Sequence, residues 1–367
     1  MNRRKGFWIA TTLVAGGGLA ACSPVAQHLS SSASPSVSLP VSPTPTATPP
    51  DPIAAAFWDD TNGLLILTPG CTSGDNICPG GVIERTGDAG RTWRIIDHVS
   101  ASLSAIAVAG NDVAWVSESG AGCGAGGACM ASNLLITSDG GADWADVVSP
   151  TPVASVSPQS ATAAWAVGGS SGFTGAGTRL VRTTDGGHTW EQRTDPCSGV
   201  HGVGSLTVSF AGAVHGWLTC AGLPATDLQP KALFSTRDGG ATWQLQSDAC
   251  LESATGQPTR DVGTLSCVGD VELMSSLPDD HAWMWMARGS LSATANGGVS
   301  WAPIAMNIVS DDINDALSAS LVSDMDGFLL ITRQEIQTGC TPSSCGPQLL
   351  STTDGGRSWT IMSSWVP

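Results

Sequence analysis

From residue 53 to residue 367, one order of apolar and polar positions recurs along the chain. Each repeat starts with a run of small apolar residues, and these first runs are residues 53–56, 104–109, 153–156, 206–210, 271–274 and 318–322. A polar turn leads to a second apolar run, which often carries tryptophan. A third run follows after a loop of variable length, and a compact polar turn then leads into a fourth. Short apolar runs bounded by turn residues predict strands, so each repeat is predicted to hold four.

The compact polar turn has the pattern T-x-[DN]-x-G-x-[TSD]-W and occurs six times. The spacings from one Asp or Asn to the next are 51, 46, 53, 58 and 58 residues, and a motif at such a period indicates a repeat architecture. We call these six segments the carboxylate turns. Their Asp or Asn positions are Asp88, Asp139, Asp185, Asp238, Asn296 and Asp354, and their tryptophans are Trp93, Trp144, Trp190, Trp243, Trp301 and Trp359.

The pattern of a carboxylate turn is typical of a tight connection between two strands. The Asp carboxylate accepts hydrogen bonds from backbone N–H groups of its own turn, and the Thr or Ser before the tryptophan can add a hydroxyl donor. The Gly supplies a backbone angle that other residues resist. The Trp begins the fourth strand and buries a large apolar surface. Asn296 keeps an acceptor oxygen and Asp143 lacks the hydroxyl, so these two turns are expected to be weaker.

Side-chain size along the repeat predicts the architecture. Four short strands per repeat are typical of a propeller blade, which is a wedge that is narrow at the axis and wide at the rim. Ala, Ser and Val dominate the first runs, whereas Trp115, Trp165, Trp217 and Trp283 lie in second runs. The sequence therefore predicts an all-β fold over residues 53–367. It is a six-bladed β-propeller of four-stranded antiparallel blades, with the carboxylate turns between third and fourth strands.

The carboxylate turns resemble the Asp-box, or BNR, repeat of β-propellers such as sialidases, sortilin-type receptors and photosystem II assembly-factor-like proteins. The stretch from Trp165 to Trp190 is similar to the corresponding phrase of the assembly factors. The resemblance implies the propeller fold, and for the assembly-factor type it implies a non-enzymatic scaffold. It is not specific for function, because fold and function separate readily. This chain departs from the assembly factors in blade number, in its added cysteines and in its shortage of basic residues.

The N-terminal residues are typical of an exported bacterial lipoprotein. A basic start at residues 3–5 precedes an apolar run over residues 7–21 that is short for a membrane span. The run ends Leu-Ala-Ala-Cys22, which resembles a lipobox and implies cleavage before Cys22 and lipid attachment to its sulfur. We expect a signal peptide over residues 1–21 and a disordered Ser/Pro/Thr-rich tether over residues 22–52. An ordinary signal peptide with a chance cysteine is the alternative.

Charge narrows the expected partners. The chain has 15 Lys and Arg against 31 Asp and Glu, a formal net charge of −16. Nucleic acid and anionic membrane surfaces are therefore not expected partners. The expected membrane contact is the lipid alone, which would anchor an extracytoplasmic monomer to the cell membrane or to the outer membrane.

Ten cysteines remain after Cys22, and an even number in an exported domain implies disulfides. In an up-and-down blade, the second-to-third loops and the blade-to-blade connections emerge on one face, here called the loop face. The carboxylate turns emerge on the opposite face, here called the turn face. All ten cysteines are predicted on the loop face: Cys71, Cys78, Cys123, Cys129, Cys197, Cys220, Cys250, Cys267, Cys340 and Cys345. Close pairs are expected at 71/78, 123/129 and 340/345, and Cys197–Cys220 and Cys250–Cys267 are favoured for the other four.

Enzyme chemistry finds little support in the residue types. Sialidases use a Tyr nucleophile, whereas this chain has no Tyr, and Arg94-Ile95-Ile96 is its nearest approach to the Arg-Ile-Pro motif of that family. Another glycosidase would need two carboxylates across the sugar. The acidic candidates, none of them marked by a motif, are Asp227, Glu252, Asp261, Asp270, Asp311, Asp312 and Asp315 near the loop face and Glu272 in a first strand.

The sequence therefore favours a binding protein without a cofactor. The His residues are scattered and the Cys pairs lack zinc spacing, so no metal site is expected. We expect a non-enzymatic cell-envelope lipoprotein whose disulfide-stapled loop face binds a macromolecule, a protein or a glycan. The competing interpretation is a glycoside hydrolase or glycan-binding lectin that uses the same face. A third interpretation is that the disulfides only protect these loops from proteolysis.

Overall fold

The computed structural model describes residues 50–68, 80–110, 112–118, 132–149, 153–168, 179–200, 203–223, 228–251, 263, 265–269, 271–286, 290–307, 313–333 and 346–365. The expected signal peptide, Cys22 and nearly all of the expected tether lie outside these residues. So do six of the predicted disulfide cysteines: Cys71, Cys78, Cys123, Cys129, Cys340 and Cys345. Within the described ranges, no helix has the length and apolar character needed to cross a membrane.

The described residues form six antiparallel sheets, and each sheet takes four strands in sequence order. The first strands are β1 (Asp51–Phe57), β5 (Leu103–Ala109), β9 (Val153–Pro158), β13 (Val203–Ala211), β17 (Val271–Ser276) and β21 (Ile313–Leu321). The second strands are β2 (Gly63–Thr68), β6 (Val113–Glu118), β10 (Ala164–Gly168), β14 (His215–Gly222), β18 (Ala282–Met286) and β22 (Gly327–Arg333). The third strands are β3 (Gly81–Thr86), β7 (Ser132–Thr137), β11 (Arg179–Thr183), β15 (Lys231–Thr236), β19 (Ser290–Thr294) and β23 (Gly346–Thr352). The fourth strands are β4 (Arg94–Val99), β8 (Ala145–Ser149), β12 (Glu191–Gln192), β16 (Gln244–Ala249), β20 (Ala302–Ile304) and β24 (Thr360–Ser364).

The six sheets are the blades of a closed ring, numbered here in chain order. Each first strand contacts the first strands of the two neighbouring blades, and β1 closes the circle by contacting β21. This is the six-bladed β-propeller that the sequence predicts. Strand β1 begins at Asp51, so the first blade includes the last two residues that the sequence assigned to the tether. Every blade is built from consecutive strands, so side chains rather than a shared strand close the ring.

Serines on the first strands connect neighbouring blades at the axis. A first strand is a sheet edge, and its unpaired N–H groups need hydrogen-bond partners. Four such groups donate to a serine Oγ on the preceding blade over 2.7–3.1 Å: Phe210 to Ser157, Leu321 to Ser275, Ala55 to Ser318 and Phe57 to Ser320. The sequence predicted small side chains here because the axis is narrow. It did not predict that their hydroxyls bridge the blades.

The tryptophans of the carboxylate turns pack against the preceding blade. Trp243 lies edge-on to Trp165, with ring centroids 6.3 Å apart. The same contact joins Trp190 to Trp115 at 6.4 Å, Trp301 to Trp217 at 6.4 Å and Trp359 to Trp283 at 5.7 Å. Each turn tryptophan precedes its fourth strand by one residue. The prediction that the tryptophan begins the strand was therefore wrong by one position.

Each carboxylate turn also places a glycine against the preceding blade. These glycines, Gly90, Gly141, Gly187, Gly240, Gly298 and Gly356, have φ between 80° and 88°. A Cβ on Gly240 would lie 2.4 Å from Trp165 Cζ2, and one on Gly298 would lie 2.7 Å from Trp217 Cζ3. Glycine is therefore required here both by the left-handed backbone angle and by the close approach of the neighbouring blade.

We expect Gly240→Ala to destabilise the propeller more than Gly186→Ala. Both glycines have positive φ, 82° and 72°, so each substitution strains the backbone by about 1–2 kcal/mol. At Gly186 the nearest atom to a new Cβ is Ala161 O at 3.6 Å, whereas at Gly240 it is the buried Trp165 ring. Overpacking should add about 1–3 kcal/mol at Gly240. Urea unfolding of the two variants and the wild type measures the difference, and equal losses would contradict the packing role.

Candidate functional site

The carboxylate turns are held together by side-chain oxygens, as the sequence predicted. In blade 4, the Thr242 N–H donates to Asp238 Oδ1 at 2.9 Å and the Thr242 hydroxyl donates to Asp238 Oδ2 at 2.6 Å. The Thr236 hydroxyl donates to Asp238 Oδ1 at 2.7 Å and accepts the Gly240 N–H at 2.9 Å. The first Thr of the motif thus joins the carboxylate to the glycine. Sequence reasoning noted this Thr in the pattern but gave it no role.

These hydrogen bonds favour the ionised carboxylate. They lower the pKa of Asp238 to about 2, with the Thr242 hydroxyl as the largest cause, and equivalent bonds lower those of Asp88, Asp185 and Asp354 to about 2. The pKa of Asp139 is also lowered, chiefly by the Asp143 N–H. The carboxylates therefore have a structural role, which is to hold the bends on the turn face.

Two carboxylate turns depart from the sequence pattern and are held by a different set of hydrogen bonds. In blade 2, Asp143 N and Ala142 N both donate to Asp139 Oδ1 at 3.0 Å, and these backbone donors hold the turn where the hydroxyl residue is replaced. In blade 5, Ser300 N donates to Asn296 Oδ1 at 3.0 Å, and Asn296 Nδ2 donates to Ser300 Oγ at 2.7 Å. The blade 5 turn is therefore uncharged, whereas the other five carry a carboxylate.

Two disulfides lie on the loop face of blades 3 to 5. Cys197 pairs with Cys220 and Cys250 pairs with Cys267, each with Cα atoms 5.5 Å apart. These are the pairs that the sequence favoured. Cys197 and Cys220 are buried, whereas Cys250 and Cys267 are partly exposed. Cys197 lies in a short 3-10 helix, Pro196–Gly199, that Asp195 caps by accepting the Ser198 N–H at 2.9 Å.

The Cys250–Cys267 disulfide supports an ordered layer, here called the platform, which consists of residues 228–231 and 265–269. Leu228 and Val268 pair as an antiparallel bridge, and Gln229 N donates to Cys267 O at 3.0 Å. The Gln229 side chain is buried; its Nε2 donates to Gly222 O at 3.2 Å and its Oε1 accepts the Val271 N–H at 2.9 Å. One side chain therefore links the end of β14, the platform and the start of β17.

The underside of the platform is anchored in the core. Leu265 is buried in the cluster that contains Trp217 and Leu233, and Cys267 packs at its edge. The Lys231 side chain is fully buried, and its Nζ donates to Gly269 O at 2.5 Å. Two sequence-distant segments are thus fixed to one another and to blade 4.

Three large apolar side chains are exposed on and beside the platform. Leu223, Leu228 and Val268 retain 60 %, 46 % and 58 % of their accessible surface, and we call them the apolar cluster. Exposed apolar side chains on a rigid base are typical of protein interaction sites. Sequence reasoning placed binding on these loops but did not single out the three residues, because only their fixed positions distinguish them from core leucines and valines.

The axial channel offers a second concave surface, with a volume of about 470 Å³. Its described wall is formed by first-strand Ala, Ser, Thr, Val, Ile, Leu, Met, Pro and Phe residues, none of which carries a charge. Glycoside hydrolysis requires two carboxylates across the sugar, and the described wall supplies no such pair.

The acidic candidates cannot be placed against this channel. Asp227, Glu252, Asp261, Asp270, Asp311 and Asp312 lie outside the described residues, and the side chains of Asp315 and Glu272 are also outside the description. The backbone of Glu272 lies in β17 at a register shift between Val271 and Leu273. No group of three His, Cys, Asp or Glu side chains that could hold a metal is present among the residues that are described.

Comparison with known proteins gives similarity of fold only. No family model matches the chain, and no curated protein matches it. Among solved structures, YCF48 from Cyanidioschyzon merolae is similar over 89 % of this chain and 89 % of its own, with 16 % identity and a TM-score of 0.47.

Two glycosidases are similar to the same degree. The GH74 xyloglucanase from Xanthomonas campestris matches 85 % of this chain and 47 % of its own, with 15 % identity and a TM-score of 0.47. The α-L-arabinofuranosidase Arb93A from Fusarium graminearum matches 84 % and 95 %, with 11 % identity and a TM-score of 0.47. Identities and TM-scores at this level carry no argument about function.

We expect the carboxylate turns to make the propeller acid-sensitive. The folded pKa of Asp238 is about 2, below the ordinary value of 3.8, so its stabilising effect is present above about pH 4 and is lost as the pH falls towards 2. Asp238→Asn should be less stable than the wild type at pH 5, and this difference should vanish by about pH 2. Thermal unfolding between pH 5 and 2 measures it. Asp146→Asn on exposed strand β8 is the control, and a pH-independent loss in Asp238→Asn would refute the role of the charge.

Proposed function

We propose that this chain is a non-enzymatic cell-envelope lipoprotein whose propeller binds another protein through the loop face. The apolar cluster of Leu223, Leu228 and Val268 is the observation that carries the proposal. It combines exposed apolar area with a base that is already ordered before binding. Pre-ordered contacts favour affinity, because less side-chain and loop entropy is lost on association.

The site is built for contact rather than chemistry. The buried amide of Gln229 and the Cys250–Cys267 disulfide hold the platform in one arrangement. Leu228 and Val268 lie side by side because their backbones pair, so they present one continuous apolar surface.

Membrane attachment through Cys22 is part of the same proposal. The lipobox-like Leu-Ala-Ala-Cys22 and the Ser/Pro/Thr-rich stretch that follows it support an anchored domain held away from the membrane. The loop face would then meet partners in the extracytoplasmic space. An acidic chain with a net charge of −16 suits such a role, since like charges limit self-association.

We expect the double substitution Leu228→Asp with Val268→Asp to abolish partner capture. The variant loses two central apolar contacts, and binding would bury its two new carboxylates against the partner. Binding should therefore weaken by at least about 30-fold. The full chain, wild type or variant, is used as bait with cross-linking in an envelope extract, and captured proteins are quantified by mass spectrometry. The same proteins are applied to a glycan array.

Val214→Asp is the matched control, because Val214 is 47 % exposed but lies on the turn face of the same blade. Proteins captured by the wild type and the control, and lost with the double variant, support the proposal. Capture that survives the double substitution would overturn it, as would glycan binding or glycoside hydrolysis by the wild type.

A further inference from the structure

Two arginines lie beside each other on the rim of blade 3, on the side of its outer strands that faces blade 4. Arg182 directly precedes the turn threonine of this blade, and Arg193 follows the turn tryptophan by three residues. Arg182 is paired with Glu191 across β11 and β12, and the Arg193 N–H donates to Leu180 O at 2.8 Å. The two arginines are therefore diagonal neighbours on one face of the sheet.

Both guanidinium groups lie against one buried tryptophan. The Cζ atoms of Arg182 and Arg193 are 5.5 and 6.0 Å from the ring centre of Trp165. This ring is fully buried and stacks on Phe210 of blade 4, with ring centroids 5.0 Å apart. Because an aromatic ring attracts a nearby cation, the fixed indole holds the two positive side chains together before any ligand arrives.

Blade 3 is the one blade with arginine at both of these sequence positions. Before the turn threonine, the other five blades have Arg85, Ile136, Ser235, Ala293 and Ser351. Three residues after the turn tryptophan, they have Ile96, Val147, Gln246, Ile304 and Met362. The other blades thus place at most one positive charge where blade 3 places two.

Blade 1 shows what an arginine at the first of these positions binds. Arg85 Nη1 donates to Gly140 O at 2.9 Å, and Arg85 Nη2 lies 3.4 Å from Asp112 Oδ1, both in blade 2. The corresponding turn of blade 4 has Val214 in place of Asp112. The Val214 carbonyl accepts the Gly239 N–H, as the Asp112 carbonyl accepts that of Gly140. Blade 4 therefore offers Arg182 no carboxylate at the position that serves Arg85.

The positive charge of the arginine pair is only partly neutralised. Arg193 Nη1 lies 3.1 Å from Glu191 Oε1, but the Glu191 side chain keeps 74 % of its accessible surface, and ion pairs this exposed contribute little. Asp195 is engaged elsewhere, because it accepts the Ser198 N–H at 2.9 Å. In the part of the chain that is described, no hydrogen bond or ion pair reaches the Arg182 guanidinium, and its Nε is buried without an acceptor. The two terminal nitrogens of Arg182 remain for an external acceptor.

We propose that Arg182 and Arg193 bind a carboxylate group of another molecule at the rim of the seam between blades 3 and 4. A guanidinium donates two parallel hydrogen bonds to a planar carboxylate, and the second arginine adds a further positive charge. The ligand displaces Glu191 from its exposed ion pair with Arg193. Arg182 lies near the turn-face end of β11, so this site is separate from the apolar cluster on the loop face.

The test titrates acetate, N-acetyl-glutamate α-amide, the neutral isostere N-acetyl-glutamine α-amide and inorganic phosphate into the full chain at one fixed ionic strength. NMR of the guanidinium groups in arginine-labelled protein follows binding. We expect a Kd on the order of 10 mM for the two carboxylates and at least about tenfold weaker binding of the glutamine probe. Tighter binding of the glutamate probe than of acetate would indicate an acidic side chain of a protein, whereas equal or weaker binding would indicate a free acid; both support the carboxylate site.

Arg182→Gln should weaken carboxylate binding by about tenfold, because it removes the guanidinium that has no carboxylate partner among the described residues. Arg179→Gln is the matched control and should bind as the wild type does. Arg179 is on the same strand, but three residues from Arg182, which places it on the opposite face of the sheet. Thermal unfolding checks that both variants fold.

Glu191→Gln tests the site with both arginines in place. It removes the carboxylate that competes for Arg193, so external carboxylates should bind about threefold more tightly. Four results would each overturn the proposal: no saturation by the carboxylates below about 100 mM, binding of the glutamine probe equal to that of the glutamate probe, tighter binding of phosphate than of either carboxylate, and unchanged or weaker binding to Glu191→Gln. Equal weakening by Arg179→Gln and folded Arg182→Gln would do the same.

Discussion

The contact of each carboxylate turn with the preceding blade is the constraint on which the ring depends. No strand is shared between the first and last blades, so every seam, including the closing one, must be sealed by side chains. The turn does this twice, with a glycine that lets the chain approach closely and a tryptophan that packs edge-on to the neighbour. The carboxylate fixes the geometry of both, because its hydrogen bonds define the bend that positions them.

The axis and the rim are therefore held by different interactions. At the rim, large aromatic surfaces exclude water between blades. At the axis, serine hydroxyls accept N–H groups of the first strand of the next blade. The wedge shape of a blade explains both choices. It also explains why Ala, Ser and Val recur in the described channel wall.

The sequence predicted the parts of the structure that rest on local chemistry. The turn motif, the small residues in first strands with tryptophan in second strands, and the pairs Cys197–Cys220 and Cys250–Cys267 all follow from positions along the chain. Contacts between segments far apart in sequence did not follow. The bridge between Leu228 and Val268 joins a second-to-third loop to a blade connection, and Gln229 is an ordinary polar residue until the fold places its amide between β14 and β17.

Because the six blades repeat one pattern, positions where a blade differs from the others are informative. Five turns share a charged carboxylate, whereas the blade 5 turn has the neutral Asn296 in its place. The platform is likewise unique to one blade connection among the described residues. An apolar cluster exposed to water carries a risk of self-association, and the net charge of −16 opposes contact between like copies. A partner with a less acidic surface meets no such repulsion. If the loop face binds a protein as we propose, charge and exposed apolar area together therefore favour a different protein over a second copy.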